Sequence, residues 1–253
     1  MKLKLNYVVL KPNKKDRAQI LPLGDFHLGY PTVNEEKLKG YIDFCIKRPV
    51  YVIGMGDYLE CGITGAIGDS LYRQKLKPQE QMEYAIELLM PLAKKGLLLG
   101  LHSGNHEQRI FKTTGIDITR IMCRILGVRH LGYAMFHQFR VLNQNYTTFS
   151  CHGSSGARLP YTKVKAVIDL ARHISAQIIC MGHVHETYCQ KFTYFAVDTT
   201  HRRKIQNDKF AILTGHFLEY EGSYAEEKNM IPSKVGAVKI SLFGNKHDIH
   251  TSQ

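Results

Sequence analysis

The chain has 253 residues, with 34 Lys and Arg against 22 Asp and Glu, which gives a formal net charge of +12 at pH 7. A chain of this length can bury a substantial core, and α/β folds of this size are often one domain. We therefore expect a single domain over residues 1–253. No stretch approaches the roughly 18 apolar residues that a membrane span requires. The positive charge suits nucleic acid, phosphorylated substrates or an anionic membrane face, and equally a basic protein without a polyanionic partner.

The cysteines and the N-terminus indicate a cellular compartment. The six cysteines are scattered without CxxC spacing, and three lie in apolar segments, where a free thiol packs as a small hydrophobic group. The apolar part of MKLKLNYVVLKPNKK is too short and too interrupted for a secretory signal. We expect reduced thiols, a cytoplasmic location and no membrane association.

The first third of the chain alternates strands with helices. Apolar patterning predicts three strands, at residues 1–10, 18–23 and 50–53. A helix is predicted after the N-cap residue Asn34 and should stop at Pro49. Residues 58–79 show no clear period, so we expect a long loop that is functional or faces a partner.

The remaining chain continues this pattern and then becomes β-rich. A helix over 82–93 should be kinked or ended early by Pro91, and a helix over 118–125 should close at Gly127. A further helix is predicted over 164–171. The predicted strands are 97–101, 136–142, 146–151, 177–181, 192–197, 210–214 and 238–243. Residues 189–253 look all-β and are assigned to the same domain.

Strands that alternate with helices, followed by antiparallel strands, favour an α/β fold. We predict a layered α/β/α-type sandwich of mixed β-sheets flanked by helices. In open sheets of this kind, ligands bind outside the carboxyl ends of the strands. The polar residues that follow each strand are therefore the candidates for a site.

Seven side chains come directly after apolar strands: Asp25, His27, Asp57, Asn105, His152, His183 and His185. Asp25 and His27 are two residues apart, as are His183 and His185, so each pair can share a metal if strand geometry persists. The set offers oxygen and imidazole ligands and no thiolate, which suits Mn, Fe or Zn better than a structural thiolate zinc site. A lone histidine such as His152 also fits a surface or core position when it is taken by itself.

Five short motifs occur in a fixed order: DFH at 25–27, GD at 56–57, GNHE at 104–107, a lone His152 and GHVH at 182–185. This ordered set, spread over residues 18–186, resembles the calcineurin-like metallophosphoesterases. The resemblance implies a dinuclear metal centre that hydrolyses a phosphodiester by metal-bound hydroxide. It also implies the ligand sets: Asp25, His27 and His185 for one metal, Asn105, His152 and His183 for the other, and Asp57 as the bridge. Manganese is the expected metal, with iron and zinc as alternatives.

The same resemblance assigns neighbouring residues to the substrate. His106 would face the substrate and protonate the leaving oxygen or stabilise the transition state. Arg109 is expected to bind a phosphate oxygen, the alternative being an exposed arginine at a helix start. Glu107 is a candidate for orienting a neighbour. His102 should pack in or beside its strand, and whether His216 lies near the site stays open.

The sequence is compatible with two classes of enzyme that differ in their substrate. A nuclease is supported by the charge of +12 and by basic residues at 11–17, 202–209 and 73–77. The alternative is a phosphatase or phosphodiesterase of small molecules or phosphoproteins, with loop 58–79 as a lid. A third hypothesis is a non-catalytic metal-binding scaffold. The oligomeric state stays open, and a homodimer is compatible with the sequence.

Overall fold

The computed structural model describes residues 3–64, 70–157 and 159–253. Its strands are β1 (Leu5–Leu10), β2 (Arg17–Leu23), β3 (Tyr51–Gly54), β4 (Leu98–His102), β5 (His130–Gly132), β6 (Ala134–Val141), β7 (Gln144–Cys151), β8 (Ile178–Met181), β9 (Thr187–Asp198), β10 (Arg203–His216), β11 (Gly236–Ala237), β12 (Lys239–Phe243) and β13 (Ile249–Ser252). Its helices are α1 (Glu35–Lys47), α2 (Ser70–Arg73), α3 (Pro78–Lys94), α4 (Glu107–Thr114), α5 (Ile118–Leu126), α6 (Pro160–His173) and α7 (Tyr224–Glu227).

The strands form two mixed sheets. The first has the order β13-β12-β2-β3-β4-β5, in which β2 to β5 are parallel and β12 is antiparallel to β2. The second has the order β1-β6-β7-β8-β10-β11, with β9 paired to β10. Because β7, β8 and β10 are parallel, their carboxyl ends share one edge. The predicted mixed α/β sandwich is confirmed.

The core is divided by the sheets into three apolar layers. Between the sheets, Ile20 and Ile53 of the first sheet share one apolar cluster with Phe139, Ile178 and Ile212 of the second. Helices α1, α3 and α5 cover the outer face of the first sheet, and α6 covers β8 and β10 of the second. Strands buried on both faces carry continuous apolar runs, as in β8, because neither face meets water.

The local helix signals were mostly correct. The Asn34 side chain accepts the N–H of Lys37 at 2.8 Å and caps α1, as predicted. Gly127 ends α5 in the left-handed conformation at φ 67°. Pro91 does not end its helix early, because α3 continues to Lys94; the alternative, a kink at Pro91, stays a prediction. Leu89 and Leu92 are buried on either side of Pro91, and their packing offsets the missing backbone hydrogen bond.

Two regions hold more helix than predicted. The expected loop 58–79 contains α2, and α3 already begins at Pro78, where Glu80 accepts the N–H of Lys77 at 2.7 Å. Residues 65–69 of that loop lie outside the described residues. The β-rich part after residue 189 also contains the short helix α7. Within the described ranges, no helix combines the length and the apolar composition needed to cross a membrane.

Candidate metal centre

The loops after five strands bring the seven candidate ligands together. They follow β2, β3, β4, β7 and β8, at the edge where the carboxyl ends of both sheets meet. Asp25, His27, Asp57 and His152 are buried. Five of the seven have positive φ, between 50° and 71°: Asp25, His27, Asp57, His183 and His185. Non-glycine residues rarely adopt this conformation, and strained backbone of this kind concentrates at functional sites.

The backbone strain corrects one sequence argument. The expected sharing of a metal by residues two apart depends on strand geometry persisting through Asp25 and His27, and through His183 and His185, yet all four residues are left-handed. Residues two apart therefore need not share a side. Asp25 and His27 do belong to one cluster, whereas His185 joins that cluster and His183 joins another. The division of ligands implied by the motif resemblance matches this grouping. The expectation that His183 and His185 share a metal because they are two residues apart does not.

Two glycines let the loops after β3 and β4 touch. A Cβ atom on Gly104 would lie 2.1 Å from both the backbone nitrogen and Oδ1 of Asp57. A Cβ atom on Gly56, which has φ +94°, would lie 2.8 Å from the Cα of Gly104. Only glycine fits such a close approach. The glycines of the GD and GNHE motifs therefore position Asp57 beside Asn105.

The first cluster contains Asp25, His27 and His185, whose ligand atoms lie within 4.8 Å of one another. The two Nε2 atoms of His27 and His185 are 3.0 Å apart, and His185 Nε2 is 3.4 Å from Asp25 Oδ1. His27 Nδ1 donates to Glu60 Oε2 at 3.0 Å, which leaves the lone pair on Nε2 when the ring is neutral. That lone pair points into the cluster, as a metal ligand requires.

The second cluster contains Asp57, His152 and His183, with Asn105 at its side. His152 Nδ1 donates to the Met55 carbonyl at 2.8 Å, so a neutral ring has its lone pair on Nε2. That atom lies 2.9 Å from Asn105 Oδ1 and 3.3 Å from Asp57 Oδ2. Three acceptors thus converge on one point, and this arrangement requires a cation or a proton between them.

Two further features of the second cluster favour a cation there: the raised pKa of His152 and an unpaired ring nitrogen of His183. Burial opposes the charged ring of His152, but Asp57 and Asp25 raise its pKa to about 10. His183 Nε2 contacts the Ser155 carbonyl at 3.2 Å, while its Nδ1 is buried without a hydrogen-bond partner in the described residues. A divalent cation would satisfy both features. The donor set therefore fits hard or borderline metals such as Mn, Fe and Zn.

Asp57 connects the two clusters. It belongs to the second cluster and also to a group with His27 and His106, so its carboxylate lies between them. Burial alone would raise the pKa of Asp57, but His152 and His106 hold it well below the usual range. Asp57 is therefore ionised, and its carboxylate lies between the two groups.

Glu60 is a site residue that the sequence argument missed. Its carboxylate lies 3.0 Å from His27 Nδ1, 3.4 Å from His106 Nδ1 and 3.4 Å from Arg109. Its carbonyl accepts from His106 Nδ1 at 2.8 Å and from Arg109 at 2.9 Å. Burial opposes its ionisation, but His106 and His27 hold the pKa of Glu60 far below normal. Its position three residues after Asp57 is the signal that could have found it.

His106 and Arg109 lie together at the mouth of the site. Arg109 donates to His106 Nε2 at 2.9 Å, and that nitrogen is 3.9 Å from Asp57 Oδ2. The side chain of Arg109 is only 20% exposed, so the alternative of an exposed arginine was wrong. Contact of Arg109 with a phosphate stays a prediction.

Glu107 holds the site loops through backbone hydrogen bonds. Its Oε1 accepts the N–H groups of Tyr58 at 2.7 Å and Leu59 at 3.1 Å. Its Oε2 accepts those of Asp57 at 3.1 Å and Gly104 at 3.0 Å. The suggested orienting role is thus a specific one, in which a buried carboxylate ties the β3 loop to the β4 loop.

Two further histidines and two cysteines lie beside the site or in the core. His216 is 5% exposed and stacks on His185, with ring centroids 5.1 Å apart and planes 10° apart, so it lies beside the site. His102 is buried at the end of β4, as predicted. Cys151 and Cys180 are buried free thiols in the core.

No protein-family model and no curated protein matches this chain. The chain is similar to the vacuolar protein sorting 29 structure from Cryptosporidium parvum, with 15% identity and a TM-score of 0.47 over 93% of this chain and 97% of that chain. It is also similar to Yfce, a phosphoesterase from E. coli, with 14% identity and a TM-score of 0.44 over 92% and 98%. A third is Vps29 from Entamoeba histolytica complexed with zinc, with 12% identity and a TM-score of 0.42 over 92% and 97%. Because the TM-scores are below 0.5, the fold class rests on the two observed sheets.

Proposed function

We propose that this protein is a metal-dependent phosphoester hydrolase of the calcineurin-like type, with two divalent cations. The observation that carries the proposal is the position of the Asp57 carboxylate between two clusters of oxygen and imidazole ligands. The first cluster would hold one cation, and the second, with Asn105, would hold the other. Such a pair supplies charge for the reacting phosphoryl group and a nucleophile at neutral pH. Manganese is the metal to test first, then iron and zinc.

The protein's own residues would bind and protonate the substrate. Burial disfavours the charged form of His106, but Asp57 and Glu60 raise its pKa. Its Nδ1 is held by the Glu60 carbonyl at 2.8 Å, which directs Nε2 toward Arg109 and Asp57. In this arrangement Nε2 accepts from Arg109. Once Arg109 turns to a phosphate oxygen, Nε2 would be free to hold a proton and pass it to a leaving oxygen. Arg109 beside it would bind a non-bridging oxygen of the phosphate.

Metal analysis and one matched pair of variants test this function. Purified protein should hold Mn, Fe or Zn in stoichiometric amount. His106→Ala should keep that metal and lose turnover by roughly 100-fold, the usual scale for general acid catalysis. Asp57→Asn should lose metal and turnover together. Protein that binds metal and cleaves no phosphoester would instead support the non-catalytic metal-binding scaffold, and protein that does neither would contradict the proposed function outright.

Between the substrate classes, the position of the basic residues supports a small phosphoester over nucleic acid. Residues 202–209 include the start of β10, whose far end, His216, lies at the site. β10 has 14 residues, so at about 3.3 Å per residue its ends are roughly 40 Å apart. Residues 11–17 lead into β2, whose opposite end carries Asp25. Both basic stretches are thus remote from the candidate metal centre.

A nuclease stays the second candidate because of the net charge of +12 and because Lys75 lies near the site loops. The backbone N–H of Lys75 bonds to the Gly29 carbonyl at 2.8 Å, and its Nζ bonds to the Pro31 carbonyl at 3.3 Å. Mn-loaded protein should be assayed on single- and double-stranded DNA, bis-p-nitrophenyl phosphate and p-nitrophenyl phosphate. Rapid turnover of a small ester with intact DNA and little salt dependence would exclude the nuclease. Faster, salt-sensitive DNA cleavage would reverse our preference.

A further inference from the structure

Strand β1 carries apolar side chains on both of its faces. Its inward face contributes Leu10 to the core between the two sheets. Its outward face carries Leu5, Tyr7 and Val9, which are 60%, 51% and 61% exposed. A strand with one face in water normally alternates apolar residues with polar ones. An outward apolar row of this kind indicates a contact surface for another molecule.

The hydrogen-bonding edge of β1 is open as well. The strand lies at one end of its sheet and, among the described strands, pairs with β6 alone. The carbonyl of Lys4 accepts the N–H of Phe136 at 3.0 Å, so the backbone groups of the even-numbered residues of β1 face β6. The odd-numbered residues, which carry the outward apolar row, therefore turn their N–H and C=O groups to the free edge. An edge strand that is both apolar and unpaired is a template for another strand.

The sequence of β1 is complementary to itself in an antiparallel register. With a two-fold axis through Tyr7, the two tyrosines lie opposite each other, and Leu5 lies opposite Val9 of the second copy. These are the residues with free backbone groups, so each opposed pair can exchange two hydrogen bonds. Their side chains would meet on one face as apolar cross-strand pairs. The flanking lysines, Lys4 and Lys11, fall opposite leucines, so no two lysines oppose each other.

The size of the surface and its charge set the strength of such a pairing. With Leu3 included, four apolar side chains of β1 are more than half exposed. At roughly 100 Å² each, two copies would bury about 800 Å² from these side chains, and the backbone adds to it. Stable interfaces begin at about 1,200 Å², so the dimer should dissociate at micromolar concentrations. The charge of +12 on each copy opposes association, so salt should strengthen a dimer and weaken the binding of an acidic peptide.

We propose that β1 is the interface with a second copy of this chain. The two β1 strands pair antiparallel about Tyr7, so that the second sheets of both copies join into one continuous sheet. The apolar register supplies the specificity, and the free edge supplies the hydrogen bonds. This association is separate from the hydrolase function, because β1 holds none of the candidate ligands.

Sedimentation velocity on the full chain tests the apolar half of the interface. From about 1 to 200 μM, the wild type should show reversible dimerisation that strengthens as NaCl is raised. Tyr7→Lys places two like charges opposite each other on the axis and should weaken the dimer at least about tenfold, which corresponds to about 1.4 kcal/mol. Tyr72→Lys is the matched control, because Tyr72 is a tyrosine of α2 that is 87% exposed. It should dimerise as the wild type does.

A second variant and an exchange measurement test the hydrogen bonds. Val9→Pro removes an N–H that faces the free edge, where proline is tolerated, and it should also weaken the dimer. In the wild type, hydrogen exchange at the amides of Leu5, Tyr7 and Val9 should slow as protein concentration rises. A chain that stays monomeric over the whole range would overturn the proposal. So would a dimer that both variants leave intact, or exchange at these three amides that is independent of concentration.

Discussion

The substitution Glu107→Gln is the sharpest test of how the site is held together. The two carboxylate oxygens of Glu107 each accept two backbone N–H groups, at distances from 2.7 to 3.1 Å. An amide has one oxygen and one NH₂ group, so in either orientation two backbone donors would face another donor. The shape of the side chain is nearly unchanged. The substitution therefore isolates the hydrogen bonds from packing.

The expected loss follows from the number of bonds broken. A buried hydrogen bond to a charged group contributes about 1.5–3 kcal/mol, so two lost bonds amount to roughly 3–6 kcal/mol of unfolding free energy. That is a large fraction of the 5–15 kcal/mol typical of a folded domain. The N–H of Asp57 is one of the four donors. Metal affinity should therefore fall in step with stability.

Urea unfolding and a metal titration measure the two effects. Glu87→Gln makes the same chemical change at an exposed position of α3, where a surface substitution should stay within about 0.5 kcal/mol. Our reasoning about Glu107 is refuted if Glu107→Gln unfolds like this control and binds metal like the wild type.

Other predictions concern the glycines and the buried histidines. In Gly104→Ala, the new Cβ would lie 2.1 Å from Asp57 Oδ1, so metal titration should show greatly weakened binding; wild-type affinity would contradict the close-approach argument. Gly40→Ala, whose Cβ meets nothing within 4 Å inside α1, should raise the unfolding free energy by about 0.5–1 kcal/mol in urea. Burial lowers the pKa of His102 to about 3 and of His137 to about 4. Below pH 6.5 the unfolded chain protonates these rings and the folded chain does not, so each should remove about 2 kcal/mol of stability between pH 7 and pH 5. Equal urea midpoints at the two pH values would disprove this.

Features that depend on neighbouring residues were readable in the sequence. Asn34 caps α1 through a bond to a residue three positions away, and Gly127 ends α5 through its own φ angle. The alternation of strands and helices likewise predicted the mixed sandwich. By contrast, Pro91 remains inside α3 because of the buried residues around it. The tendency of proline to break a helix is opposed at Pro91 by packing against residues distant in the sequence. The sequence around Pro91 does not show those contacts.

The sequence by itself determined that polar ligands follow the strands, because each such residue sits at a visible break in an apolar run. The resemblance of the motifs to a known family also implied which ligands would share a metal, and the Asp and His residues fall into clusters with the same grouping. The tertiary structure decided which groups support them. Glu60 contacts both His27 and His106, and His216 stacks on His185 across 31 positions of the chain. The first contact joins loops after three strands of the first sheet, and the second joins β10 to the loop after β8 in the second sheet. Both exist only once the strands have paired, so no local spacing encodes them.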